Sequence, residues 1–116
     1  MNISIIMRRP PYGTVDASEA IRHALGGVTE EVEVKLVLVD GGVNAARKGQ
    51  DTSSTPYSST EEGIKDCIDM GVEVYVDRAS LKEEYVEPDR LIDGLKIVNS
   101  HEIAEIIKNS DLTMIF

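Results

Sequence analysis

Residues Gly71 to Leu81, GVEVYVDRASL, constrain the fold of this chain more than any other stretch. Val72, Val74 and Val76, with Tyr75 among them, are the β-branched and aromatic types that fill a pleated strand, and a glycine before them suits the end of a preceding helix. The polar corner Asp77-Arg78-Ala79-Ser80 then runs into Leu81-Lys82-Glu83-Glu84, so the pattern predicts a strand that feeds a short helix from about Ser80 to Tyr85. In parallel α/β folds, ligands gather at such corners, outside the carboxyl ends of the strands.

The same alternation recurs along the chain. Ile3 to Met7 is a short apolar run, and Arg8-Arg9-Pro10-Pro11-Tyr12-Gly13 ends it because two prolines cannot continue a strand. Thr14 or Asp16 is placed to cap a helix in which Ala17, Ala20, Ile21, Ala24 and Leu25 recur at helical spacing, with Gly26-Gly27 closing it. Val32 to Val39, VEVKLVLV, alternates at first and turns wholly apolar, which predicts a strand buried more deeply at its C-terminal end. Asp40-Gly41-Gly42 reads as a tight exit, Val43 to Arg47 as about a turn of helix, and the Ser/Thr-rich Lys48 to Ser59 as the longest loop.

Ser59 and Glu62 stand in capping-box spacing ahead of the stripe Ile64, Cys67, Ile68. Pro88 breaks the helix after Gly71–Leu81, and Leu95 to Val98 supplies a further strand. Asn99 and Glu102 form a second capping pair, opening a helix with Ile103, Ile106 and Ile107 inward before a last strand from Leu112 to Phe116. The order β-α-β-α-β-α-β-α-β implies an α/β fold with a mainly parallel five-stranded sheet and helices on both faces. Strand C-termini then share one rim, which should carry Arg8 to Gly13, Asp40 to Gly42, Asp77 to Ser80 and Asn99-Ser100. Cys67 should lie towards the opposite rim.

At 116 residues the chain is read as one domain, 1–116. A net charge of −9 repels nucleic acid and anionic lipid, and the basic clusters are only the pairs Arg8-Arg9 and Arg47-Lys48. Neither nucleic acid nor a membrane is therefore expected as a partner. No apolar run is long enough to span a bilayer, and Met1-Asn2-Ile3 leads into a strand without a basic leader region, so a cytoplasmic location is expected. One cysteine excludes an internal disulfide and the multi-cysteine zinc patterns, and His23 and His101 fall in different helices, so no metal is expected.

Four stretches, RRPPYGTVDASEAIRHAL, VKLVLVDGGV, VYVDRASLKEEYVEPDRLIDGLKIV and SHEIAEIIKNSDLTMIF, resemble the DsrE/DsrF/TusC-like family of small intracellular sulfur-relay proteins, most closely the DsrF/TusC branch. The resemblance implies a flavodoxin-like three-layer α/β/α fold, assembly into dimers, trimers or hexamers, and in some members a cysteine that carries persulfide sulfur at the end of the strand matching Val72 to Val76. Here that position is Asp77, and a carboxylate cannot form a persulfide. Glu84-Tyr85-Val86 stands where relatives often have Arg-Gly-Leu, which argues against a left-handed helix cap at Tyr85.

The candidate ligand-binding residues are Arg8, Tyr12, Gly13, Asp40, Gly41, Asp77, Arg78 and Ser80, and none is expected to be catalytic. Asp77 is either a contact for a cation, a partner's basic group or a ligand hydroxyl, or simply the cap of the next helix. Arg78 either holds an anion or is solvated and ion-paired. The Arg8 to Gly13 loop precedes a helix, a favourable setting for an anion, but it lacks the glycine patterns of nucleotide sites, and no cofactor is expected. Cys67 belongs on a helix stripe, and Asp66 and Asp69 have the wrong sign to activate it, so it reads as inert core. The expected role is an accessory or scaffold subunit of a sulfur relay, assembled with itself and with a cysteine-bearing partner. The alternative is a small-ligand or anion-binding regulatory protein that uses the rim.

Overall fold

The computed structural model describes residues 1–116. Five strands, β1 (Asn2–Met7), β2 (Glu33–Leu38), β3 (Glu73–Asp77), β4 (Lys96–Val98) and β5 (Leu112–Ile115), pair in parallel in the order β4-β3-β2-β1-β5. The helices are α1 (Asp16–Thr29), α2 (Thr60–Asp69), α3 (Arg78–Glu83) and α4 (Ser100–Lys108), with 3₁₀ segments at Asp40–Ala46 and Pro88–Arg90. Steps from β1 to β4 all move one strand in one direction, so right-handed crossovers put α1, α2 and α3 on one face. The return from β4 to β5 passes three strands the other way and puts α4 on the other face. This is the three-layer α/β/α fold, and its sheet is wholly parallel. No helix is long and apolar enough to cross a membrane.

The main core lies under α1 and α2. Ile5, Met7, Leu36, Leu38, Val74 and Val76 from the strands meet Ala17, Ala20, Ile21, Ala24, Ile64 and Cys67 from the helices. β2 deepens along its length as its sequence predicts, from exposed Glu33 to buried Leu36, Val37 and Leu38. The other face is thinner. Ile103 and Ile106 of α4 are half-buried, no residue of α4 is fully buried, and Ile107 is 40% exposed. Expecting all three isoleucines to face inward was therefore wrong for Ile107.

Helix ends follow the capping rules in part. Ser59 accepts the Glu62 amide, and Asn99 and Glu102 form the full reciprocal box. At α1 neither Thr14 nor Asp16 is the N-cap: Val15 holds that position without a side-chain bond, while the Thr14 hydroxyl accepts the Asp16 amide at 3.3 Å. Gly26-Gly27 does not close α1 either. The helix runs through both to Thr29, and a β-carbon at Gly27 would lie 2.8 Å from Val34 Cγ2, so the glycine lets the helix sit close to β2.

Three helices end in the same way. After α1, α2 and α3 a residue takes a left-handed backbone (Glu31, φ 61°; Gly71, φ 96°; Tyr85, φ 56°), and the next residue is a valine. The amides of Val32, Val72 and Val86 donate to the carbonyls of Gly27, Cys67 and Leu81, at 2.9 Å each. These are Schellman motifs, in which the residue after the left-handed one turns back onto the helix. The expectation that Tyr85 would not adopt such a cap is corrected. Val86 and Leu81 are each only 4% exposed, and burying that pair holds the tyrosine in its strained conformation.

Candidate functional site

The exits of β1, β2 and β3 lie side by side on the C-terminal rim, with Ser80 tying β2 to β3 and Gly42 tying β2 to β1. Asp77 ends β3 and caps α3: its Oδ2 accepts the Ser80 amide at 3.1 Å and the Ser80 hydroxyl at 2.6 Å. The same hydroxyl accepts the Asp40 amide at 2.8 Å, reaching across to the end of β2. Asp40 takes a left-handed backbone, φ 50°, at the head of its 3₁₀ segment. Further on, the Gly42 amide donates to the Arg8 carbonyl at 3.1 Å. A β-carbon on Gly42 would fall 2.1 Å from the Met7 carbonyl oxygen, so only glycine permits this approach to the exit of β1. Gly41 packs on Pro10, with a β-carbon position 3.0 Å from the ring.

Asn44 completes the frame by donating to the Gly41 carbonyl at 3.1 Å and to Glu84 Oε1 at 2.8 Å. Asn44 and Glu84 escape a linear reading because they are forty positions apart and neither belongs to a recognisable pattern. Within the frame, Asp77 Oδ1 is buried and has no hydrogen-bond partner. Most buried polar atoms have a hydrogen-bond partner, so this oxygen can accept one more hydrogen bond.

The remaining candidates are drawn elsewhere. The Tyr12 hydroxyl donates to Gln50 Oε1 and accepts the Thr60 amide at 3.3 Å, and its ring lies 5.6 Å from that of Tyr57. Tyr12 thus fastens the Lys48–Ser59 loop, with Gly13 following it at φ 103°. Gln50 in turn donates its amide to Glu61 Oε1 at 2.9 Å, and the amides of Gln50 and Gly49 hold the Glu61 carboxyl below its ordinary range. Arg8 is exposed and contributes backbone contacts, its amide donating to the Phe116 carbonyl at 2.9 Å. Arg9 pairs with Asp16 at 2.8 Å. Arg78 makes no hydrogen bond or ion pair with Asp77 or Asp40 and lines a groove on the flank of α3 with Lys82 and Tyr85.

Cys67 sits late in α2, fully buried in the main core. Burial first, and the Asp66 charge second, push its thiol up to about 11, so it is protonated at neutral pH and a poor nucleophile. His23 is half-buried, with Nδ1 donating to the Glu19 carbonyl at 2.7 Å and its ring 5.2 Å from Phe116, and His101 is exposed on α4.

The sequence model of the DsrE/DsrF-like family matches residues 1–116. A protein of Methanocaldococcus jannaschii, named only as uncharacterized, is 32% identical over 116 residues that span the whole of both chains. The intracellular sulfur oxidation protein DsrF of Allochromatium vinosum is 27% identical, over 94% of this chain and 91% of its own. In three dimensions the crystal structure of the ychN protein of Escherichia coli matches with a TM-score of 0.89 over 99% of this chain and 98% of that one, at 21% identity. That likeness concerns the fold.

Proposed function

The chain belongs to the DsrE/DsrF-like family, and on that premise we propose that it is an accessory or scaffold subunit of a cytoplasmic sulfur relay, holding a cysteine-bearing partner without carrying sulfur itself. The observation that supports this reading is the pairing of Asp77 at the rim with a lone, buried Cys67. Persulfide transfer needs a thiolate that attacks the outer sulfur of the donor while the donor's inner sulfur leaves as a thiolate. Asp77 has no sulfur, and Cys67 is neither ionised nor reachable.

Assembly is part of the proposal. Ile107, Leu112 and Ile115 are 40%, 47% and 63% exposed on α4 and on β5, an edge strand of the sheet. Apolar side chains beside an unpaired strand edge favour coverage by another subunit. A sedimentation run at micromolar concentration should therefore show a species larger than the 12.7 kDa monomer. Purification from the native host should recover a cysteine-bearing sulfurtransfer component; its absence under mild washing would count against the scaffold role.

A second reading, a rim that binds a small ligand through Asp40, Asp77 and their neighbours, is favoured by the unpaired Asp77 Oδ1. That oxygen suits a donor and repels an anion. A ligand for the folded state would raise the melting temperature by mass action, and a screen of cationic and hydroxyl-rich compounds with no shift would remove this reading.

A further inference from the structure

Arg78 and Lys82 stand four residues apart on α3, which places them one above the other on the same side of the helix. Both are exposed, and neither makes a side-chain hydrogen bond or ion pair. Arg9, Arg22, Lys35 and Lys65 have carboxylate partners, whereas the charges of Arg78 and Lys82 are not neutralised by any carboxylate of this chain. The two cations border a cavity of about 550 Å³, a size that suits small ligands.

The body of that cavity is apolar. Leu81 and Val86, each 4% exposed, form its base, and Pro88 and Ile97 also line it. Tyr85 lines it too, 91% exposed on its left-handed backbone, a conformation that usually costs energy and clusters at ligand sites. Glu87 is the only acidic residue lining the cavity, so the charges there sum to one net positive. An apolar body desolvates without penalty in such a place, whereas a charged head must stay at the edge beside its counter-ions.

We propose that this groove binds a small amphiphile with a single anionic head, the head between Arg78 and Lys82 and the apolar body against Leu81, Val86 and Ile97. Two features select that class. The unpaired cations favour an anion over a neutral or cationic head, and the strongly negative remainder of the protein disfavours a multiply charged one. The site is separate from the Asp77–Ser80–Asp40 frame and does not depend on the relay reading.

The test uses the full chain and three probes of one chain length, octanoate, octan-1-ol and octylammonium, each below its aggregation threshold. Backbone amide shifts are followed by NMR. Octanoate should give saturable shifts confined to residues 78–87 and Ile97, with octanol and octylammonium at least about tenfold weaker. The double variant Arg78→Glu, Lys82→Glu should lose octanoate binding by at least about tenfold and prefer octylammonium; if it fails to fold, the pair Arg78→Gln, Lys82→Gln should bind octanoate no better than octanol. Equal binding of the three probes, saturable shifts mapped to another part of the chain, or no saturation at millimolar octanoate would each overturn the proposal.

Discussion

The Ser80 hydroxyl accepts the Asp40 amide at 2.8 Å while donating to Asp77 at 2.6 Å, and so fastens the exit of β2 to the first turn after β3. Ser80 is 2% exposed, so water cannot take over both roles when the oxygen is removed. Ser80→Ala should destabilise the protein by about 1–3 kcal/mol, the usual cost of orphaning buried polar partners. Urea unfolding gives the stability and amide exchange at Asp40 gives the local effect. A variant within about 0.5 kcal/mol of the parent, with Asp40 exchange unchanged, would mean that the bond does not hold the rim.

Tyr85 supplies a second test, because its side chain is 91% exposed and contributes almost no burial while its backbone is held at φ 56°. Left-handed conformation costs a non-glycine residue about 1–2 kcal/mol. Glycine's greater freedom in the unfolded chain takes back about 0.5–1 kcal/mol. Tyr85→Gly should thus stabilise by roughly 0.5–1 kcal/mol, whereas Tyr85→Ala should not. Thermal unfolding of the three proteins decides it, and a Tyr85→Gly variant less stable than the parent would show that the tyrosine makes a stabilising contact.

These two residues mark the boundary of what a linear reading could reach. The strands were legible because β-branched runs such as Val72 to Val76 need only local pattern, and Asp77 was legible as a cap because its bonds to Ser80 span three positions. Tyr85 was misread because the valine that demands the left-handed turn is buried by tertiary packing, which overrides the backbone preference of the residue before it. The same override explains α1, where Gly27 serves close approach to Val34 and the left-handed role falls to Glu31. The candidate site divides along that line. Asp77, Ser80 and Asp40 are linked by hydrogen bonds at the rim, while Tyr12 bonds to the Lys48–Ser59 loop and Arg78 lines the groove beside α3, contacts that depend on tertiary packing and leave no local signal.

Glu61 should make part of the stability depend on pH. Its carboxylate accepts the Gln50 amide at 2.9 Å and lies 3.4 Å from Lys65, and its pKa is lowered from 4.5, first by the Gln50 amide, against the opposing effect of burial. A depressed folded-state pKa contributes stability above the unfolded value and loses it as pH falls through the folded one. The contribution is therefore complete at neutral pH and disappears below pH 4.5 as the carboxylate protonates. Urea midpoints measured from neutral pH down to about 3 should fall more for the parent than for Glu61→Gln, which keeps an acceptor but cannot titrate. Parallel curves for the two proteins would refute the assignment.

The sharpest test of the relay reading is Asp77→Cys. Position 77 is partly exposed at the end of a rigid strand, and two donors, the Ser80 amide and hydroxyl, already point at its side chain. Those donors should favour the thiolate of the introduced cysteine. The variant should fold, losing a helix cap worth about 0.5–2 kcal/mol. When it is mixed with a persulfidated donor, mass spectrometry should find one added sulfur on the peptide containing residue 77, with none on Cys67 in either protein. Sulfur on Cys67 of the parent would show that this thiol is reachable despite its buried place in α2. A folded variant whose new thiol resists every thiol reagent would show that the end of β3 is closed to a partner, and the scaffold reading would then lose the geometry on which it rests.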